Sequence, residues 1–187
     1  TGIGPVRFKV LLDYFGTAQK AYEAPTETWQ KIGLPINLVN SFLKFRSEFK
    51  PKEFLEQISK KGIKVLILKD KDYPELLKQI SDAPPVLYVK GKLLPEDSLA
   101  IGIVGTRKIT SYGREVTEIL TRDLVVSGLT IVSGLALGVD SIAHKTAIEA
   151  GGRTIAVVGT GVDLIYPPEN KDLYNSIVRH GAVVSEV

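Results

Sequence analysis

The stretch that decides the fold is residues 129–158, LTIVSGLALGVDSIAHKTAIEAGGRTIAVV. Its two apolar ends, residues 129–132 and 154–158, predict β-strands, and residues 139–150 between them predict an α-helix that ends at a pair of glycines. Two strands joined through a helix pair in parallel, because the connection crosses one face of the sheet in a right-handed sense. This stretch therefore predicts one unit of an α/β fold.

The same alternation continues on both sides of this unit. Residues 99–104 and 182–185 predict two more strands, residues 111–127 and 169–179 predict helices, and residues 63–68 and 86–89 predict strands further upstream. The strand at 99–104 has no polar residue, as expected for a strand that is covered on both faces. The whole pattern predicts a Rossmann-like parallel sheet flanked by helices.

The first 61 residues have a purely helical pattern. Helices are predicted over residues 6–14, 26–31, 38–45 and 52–60, and prolines at positions 25, 35 and 51 separate them. We therefore expect a small helical domain at residues 1–61 and the Rossmann-like domain at residues 62–187.

Composition excludes several classes of protein. The chain of 187 residues has no cysteine and two histidines, which excludes a disulfide framework and a cysteine nucleophile and disfavours a multi-histidine metal site. Every apolar run is interrupted well before the ~18 residues of a membrane span. We expect a cytoplasmic protein without a resident metal or cofactor.

The charge distribution restricts how nucleic acid could be bound. The net charge is +3, and the first 50 residues carry seven basic and four acidic side chains, whereas residues 101–187 carry eight basic and nine acidic ones. A basic field over the whole chain is therefore absent. Binding to nucleic acid would have to use a few well-placed cations.

Three loops that contain glycine follow the predicted parallel strands. They read Gly105-Thr106-Arg107, Ser133-Gly134-Leu135-Ala136-Leu137-Gly138 and Gly159-Thr160-Gly161. Ligands bind beyond the carboxyl ends of parallel strands, and free N–H groups at helix N-termini hold anions. The candidate phosphate contacts are therefore Gly105, Thr106, Gly134, Gly138, Gly159 and Gly161. Glycine is equally typical of a tight turn, so both interpretations stay open at each loop.

Side chains near these loops favour a nucleic-acid backbone as the anion. Dinucleotide and Walker fingerprints are absent, whereas Arg107 and Lys108 stand directly at the end of a predicted strand. A guanidinium forms two parallel hydrogen bonds to phosphate oxygens. Tyr166, after the third loop, could stack on a base, and packing of its ring is the alternative.

No catalytic group is predicted from the sequence. Asp140 and His144 lie at positions i and i+4 of one predicted helix, but an Asp in a first helical turn more simply complements the helix dipole. Neither Ser133 nor Ser185 has the surroundings of a nucleophile elbow.

A series of short motifs runs in order through residues 62–187. It comprises Tyr73-Pro74, Pro84-Pro85, Ile103-Val104-Gly105-Thr106-Arg107, Val132-Ser133-Gly134-Leu135-Ala136, Gly138-Val139-Asp140, Ala143-His144, Thr154-Ile155-Ala156-Val157-Val158-Gly159-Thr160-Gly161, Tyr166-Pro167, Asn170 and Ser185-Glu186. This ordered series resembles the DprA/Smf family, the DNA-processing proteins of natural transformation.

The resemblance implies a protein that binds single-stranded DNA, protects incoming DNA and loads the RecA recombinase, without catalytic turnover. It places Arg107 at the position that grips the DNA backbone. Relatives often carry lysine where this sequence has Pro168, and Lys171 is the nearest basic substitute. The first 61 residues are similar to the family's SAM-like or helix-hairpin-helix-like domain.

The resemblance also carries expectations about assembly. The full-length protein is expected to form a homodimer. The chain is expected to end inside the family's α/β domain, so that its last strand would lie at an open edge of the sheet.

Two other functions stay open from the sequence. An enzyme of the LOG phosphoribohydrolase type would use the same loops for a mononucleotide, although its Pro-Gly-Gly-x-Gly-Thr signature does not occur in these residues. A protein-binding adaptor is the third possibility, favoured if neither nucleotide nor DNA binds.

Overall fold

Five helices form the first part of the chain. The computed structural model describes residues 2–187, and these helices are α1 (Pro5–Phe15), α2 (Ala18–Glu23), α3 (Thr26–Gln30), α4 (Ile36–Glu48) and α5 (Pro51–Lys60). The sequence pattern misses α2, because a six-residue helix that buries only Ala21 leaves no apolar periodicity to detect. Its start is fixed by Thr17, whose hydroxyl accepts the backbone N–H of Lys20.

The first helices enclose a core of their own around Trp29. This side chain is 1% exposed, and its ring stacks on Phe42 with the centroids 4.2 Å apart. The indole N–H donates to the carbonyl oxygen of Ala21 at 2.8 Å, so the buried polar atom is satisfied. Leu11 of α1 and Val39 of α4 complete this core.

Six strands form one mixed sheet. They are β1 (Ile63–Ile67), β2 (Val86–Gly91), β3 (Ala100–Gly102), β4 (Thr130–Ser133), β5 (Thr154–Val157) and β6 (Gly181–Ser185), in the order β1-β2-β6-β5-β4-β3. The last four strands in the chain are parallel to one another, as predicted. In contrast, β2 is antiparallel to both β1 and β6. The parallel strands place their carboxyl ends at one edge of the sheet.

One face of the sheet carries the larger helices. The remaining helices are α6 (Glu75–Lys78), α7 (Ser111–Val126), α8 (Val139–Glu149) and α9 (Lys171–His180). Ile58 of α5, Ile177 of α9 and Val183 of β6 share one core. Helix α5 belongs to the predicted helical domain, yet it packs on the sheet of the second domain. The predicted boundary at residue 61 is therefore not tested by this packing and stays a prediction. Of the helices within residues 2–187, none is long and apolar enough to cross a membrane.

Two expectations about the sheet edges are wrong. Strand β3 lies at an edge with its residues exposed, and the flanking Leu99 and Val104 are 69% and 81% exposed, so this strand is not covered on both faces. The last strand, β6, lies between β2 and β5, and all its residues are buried. The cause is β2, which pairs with β6 and takes the position that would otherwise be open.

Candidate nucleic-acid interface

A cavity of about 260 Å³ opens at the carboxyl ends of the parallel strands. It is lined by Arg107, Gly134, Ala136, Leu137, Val158, Gly159, Thr160, Tyr166 and Pro167. The structure therefore brings together one or more candidates from each of the three predicted loops. The candidates outside this lining are Gly105, Thr106, Lys108, Gly138, Gly161 and Lys171.

Arg107 is the cation at this cavity. Its side chain is exposed, and the ion pairs that arginines form within residues 2–187 are Arg114–Glu118 and Arg153–Asp97. The guanidinium of Arg107 is thus unpaired in the described part of the chain. An exposed and unpaired guanidinium keeps all its donors for an external anion.

Thr106 shapes the first loop. Its Oγ1 accepts the backbone N–H of Lys108 at 3.1 Å and donates to the carbonyl oxygen of the same residue at 3.2 Å. The hydroxyl is therefore occupied within the loop. The side chain of Lys108 is exposed and adds positive charge beside Arg107.

Two of the predicted glycines hold the first and second loops together. A Cβ atom at Gly138, whose φ is +85°, would lie 2.2 Å from the carbonyl oxygen of Thr106. A Cβ atom at Gly105 would lie 2.6 Å from Cγ2 of Val139. Both positions need glycine for close packing of the chain, which is the second of the two interpretations left open by the sequence.

Two backbone amides of the second loop are occupied by a side chain of the protein itself. Oδ2 of Asp140 accepts the backbone N–H of Gly134 at 3.1 Å and that of Ala136 at 3.3 Å. Asp140 is 7% exposed, so these bonds form behind the cavity wall. The amides of Gly134 and Ala136 are therefore not free for a phosphate, whereas the N–H groups of Leu137 and Gly138 have no acceptor within residues 2–187.

The third loop retains unoccupied donors. Within residues 2–187, the backbone N–H groups of Gly159 and Thr160 have no hydrogen-bond acceptor. A Cβ atom at Gly159 would meet nothing within 4 Å, so the space in front of this backbone is open. Successive N–H groups in a turn can form an anion-binding concavity, and residues 159 and 160 form a bend. Gly161 instead closes a turn, since its carbonyl accepts the N–H of Leu164.

An acidic side chain near the third loop is neutralised. Asp163 accepts a hydrogen bond from Nζ of Lys61 at 2.6 Å. This hydrogen bond holds the pKa of Asp163 below its usual range. The ion pair joins the residue after α5 to the loop after β5 and reduces the repulsion that Asp163 would exert on an approaching phosphate.

Tyr166 lines the same cavity as residues of the second loop. Its side chain is 65% exposed, so the ring is not buried as a packing residue. An exposed ring that lines a cavity has a free face for stacking. Lys171, the first residue of α9, is also exposed but lies outside the cavity lining.

Asp140 and His144 do not act as a pair. Nδ1 of His144 lies 2.6 Å from Oγ1 of Thr154, whereas Asp140 holds the second loop. His144 is fully buried, and burial lowers its pKa to about 4. In the part of the chain that the structure describes, no cluster of His, Cys, Asp or Glu could hold a metal ion.

Sequence reasoning misses Asn170 as a residue of this region. It is 7% exposed, and its Nδ2 donates to the carbonyl oxygen of Leu135 at 2.8 Å. The signal in the sequence was its place in the Tyr166-to-Asn170 motif, but an Asn before a helix is normally interpreted as a local cap.

Comparison with known protein families shows which proteins have a sequence similar to this chain. The family model for DNA recombination-mediator protein A matches residues 64–187. Protein Smf of Synechocystis sp. is 41% identical over 190 residues, which cover 99% of this chain and 48% of the relative. The DNA processing protein DprA of Bacillus subtilis is 42% identical over 142 residues, which cover 74% of this chain and 48% of that protein. The chain thus spans about half the length of these relatives.

Solved structures match the fold. The X-ray structure of DNA processing protein A from Streptococcus pneumoniae covers 100% of this chain with a TM-score of 0.82 at 30% identity, and the match covers 64% of that chain. A structure that describes the unique single-stranded DNA binding mode of DNA processing protein A from Helicobacter pylori covers 67% of this chain and 55% of that one. Its TM-score is 0.59 at 34% identity. The predicted α/β fold with helices before it is confirmed.

Proposed function

Because this chain belongs to the DNA recombination-mediator protein A family, we propose that it binds single-stranded DNA at the cavity between Arg107 and Tyr166. The resemblance to DNA-processing proteins found in the sequence is confirmed by this family match. One observation carries the proposal: an unpaired guanidinium, a loop with free amides and an exposed aromatic ring line the same cavity.

Each of these groups has a distinct part in binding. Arg107 donates two hydrogen bonds to the oxygens of one phosphate. The N–H groups of Gly159 and Thr160 donate to a second phosphate, which the open space at Gly159 admits. Tyr166 stacks on a base, which requires an unpaired and unstacked strand. Since none of these groups reads the edge of a base, the affinity is independent of sequence and sensitive to salt.

The comparison with solved structures supports the choice of ligand. The relative from Helicobacter pylori is described by its single-stranded DNA binding mode. In this chain, a cation and an exposed ring line one small cavity, which suits a flexible strand whose bases are free to turn.

We extend the proposal to the role that the resemblance implies. The DNA-bound protein protects incoming strands and loads the RecA recombinase during natural transformation, in the cytoplasm, with the full-length protein as a homodimer. It acts as a mediator without catalytic turnover. In support, Asp140 and His144 have separate partners within residues 2–187, so they do not form an acid–base pair.

The test compares two arginines of the same chain. Binding of fluorescently labelled oligo-dT is followed by anisotropy for the wild type, Arg107→Ala and Arg122→Ala. Arg122 is the matched control, because it is exposed and lies near the far end of α7. Loss of a charged double hydrogen bond should weaken the Arg107→Ala variant at least about tenfold, with an unchanged circular dichroism spectrum. Equal affinities for the two variants would refute the proposed site.

A separate assay tests the proposal that the protein has no catalytic turnover. Incubation of the wild type with AMP, followed by chromatography, should give no free adenine. Release of adenine at a rate proportional to protein concentration would instead favour the nucleotide hydrolase.

A further inference from the structure

Asn170 joins two walls of the cavity from behind. Its side-chain amide donates to the carbonyl oxygen of Leu135 at 2.8 Å and to Oγ of Ser141 at 2.9 Å. Its backbone N–H donates to the carbonyl oxygen of Pro167 at 3.1 Å. One buried residue therefore holds both the second loop, which forms one wall, and the segment of Tyr166 and Pro167, which forms the other.

The second loop needs such a support. Leu135 has a φ of 59°, a left-handed conformation that a non-glycine residue rarely adopts. Its side chain is 1% exposed, so the conformation is fixed by burial and by the hydrogen bond from Asn170. Ser141 adds a second bond, since its hydroxyl donates to the carbonyl oxygen of Ala136. A conformation of this kind persists only when its surroundings determine it.

We infer that Asn170 is a positioning residue for single-stranded DNA, which sets the distance between the second loop and Tyr166 without contacting the strand itself. The inference rests on the proposed function of this cavity. Asn170 is 7% exposed and its side-chain donors are occupied, so it offers no donor to a phosphate. Its effect on binding is transmitted through the two walls that it joins.

The first measurement compares two asparagines on adjacent turns. Asn170→Ala and Asn175→Ala are titrated with labelled oligo-dT across a salt series; Asn175 is the control, because it is exposed on α9. Asn170→Ala should weaken binding about tenfold, the loss expected when one base stack is lost. Its slope of log affinity against log salt should equal that of the wild type, because every cation remains. Equal affinities of the two variants would overturn the inference.

A double-mutant cycle with Tyr166 separates positioning from general damage. If Asn170 acts by placing Tyr166, the variant that combines Asn170→Ala with Tyr166→Ala binds about as weakly as Tyr166→Ala alone. If the two losses multiply, Asn170 does not act through that ring, and the inference fails.

A milder variant keeps the test decisive if Asn170→Ala does not fold. Ser141→Ala removes one acceptor of the Asn170 amide and the hydroxyl that donates to Ala136, and it leaves the bond from Asn170 to Leu135. It should weaken binding by about threefold and show the same coupling to Tyr166. Wild-type affinity in Ser141→Ala would count against the inference. If the proposed function itself is wrong, the wild type will not bind oligo-dT. That outcome differs from a wild type that binds and variants that bind equally well.

Discussion

The carboxylate of Asp140 accepts the backbone N–H of Gly134 at 3.1 Å, on the inner side of the loop that lines the cavity. The same oxygen accepts the N–H of Ala136 at 3.3 Å. This places a negative charge behind one wall, while Arg107 stands unpaired at the cavity. The groups that we propose to hold phosphates are therefore Arg107 in the first loop and the amides of Gly159 and Thr160 in the third.

Removal of the Asp140 carboxylate should destabilise the protein. Asp140→Ala leaves the two part-buried N–H donors without their acceptor, which should cost about 1 kcal/mol in the free energy of unfolding. Asp140→Asn keeps an acceptor oxygen and should cost less. Denaturant unfolding of the three proteins measures the difference, and an alanine variant as stable as the wild type would show that these hydrogen bonds do not hold the loop.

Gly138 and Gly128 provide a matched pair for the contact between the first two loops. Both have a φ of +85°, but a Cβ atom would meet nothing within 4 Å at Gly128 and would lie 2.2 Å from the carbonyl oxygen of Thr106 at Gly138. Gly128→Ala should cost about 1 kcal/mol for the backbone conformation alone. Gly138→Ala should cost at least about 3 kcal/mol, because its ψ of −127° is also unfavourable for a residue with a side chain and overpacking is added.

The same glycine variants also test the placement of Arg107. Gly138→Ala pushes the first loop away from α8, so it should weaken binding to oligo-dT, whereas Gly128→Ala should not. Thermal unfolding and anisotropy together measure both effects. Equal stabilities of the two alanine variants would contradict the close approach of the two loops.

Tyr166 should contribute through its ring and not through its hydroxyl. Tyr166→Ala should lose about 1–3 kcal/mol of binding free energy to single-stranded DNA, the usual value of one base stack. Tyr166→Phe retains the ring and should bind nearly as well as the wild type. Anisotropy with oligo-dT at one salt concentration is sufficient, and equal losses in both variants would exclude stacking at this position.

Stability should depend on pH through His144. Burial lowers the pKa of this side chain from 6.5 to about 4 in the folded protein. Between these two values the unfolded chain binds more protons, so stability is complete above the unfolded pKa and is lost as pH falls. The expected loss from His144 between pH 7.5 and pH 5 is about 2 kcal/mol.

The control for this pH dependence is His144→Leu, which removes the titrating group. Denaturant unfolding at the two pH values should show a smaller loss for the variant than for the wild type. An identical pH dependence in both proteins would mean that His144 does not titrate in this range on unfolding.

The sequence was sufficient to predict the parallel part of the sheet and the edge where its loops converge. Residues 129–158 carry a complete strand–helix–strand pattern, and the structure has β4, α8 and β5 within them. The order of the strands could not be predicted from the sequence. It depends on which strand pairs with β6 on the side away from β5. That partner is β2, and nothing in the local pattern of residues 86–91 indicates antiparallel pairing with a strand about 95 residues later.

The candidate site was predictable in position but not in detail. Arg107, Gly159 and Tyr166 line one cavity, as their places after the predicted strands suggest. Local sequence does not tell whether an amide at a strand end is free. Asp140 was interpreted as a complement to a helix dipole, and its hydrogen bond to Gly134 depends on how the loop turns back over α8. The long-range bond from Asn170 to Leu135 is inaccessible for the same reason.

The most direct test of a nucleic-acid backbone at this cavity is the salt dependence of oligo-dT binding. We predict that affinity falls as salt rises in the wild type, and that Arg107→Ala reduces the slope of log affinity against log salt by about 0.7, the value for one phosphate contact with a single strand. Arg122→Ala should leave the slope unchanged. Identical slopes for the wild type and Arg107→Ala would contradict the account, because Arg107 would then hold no phosphate.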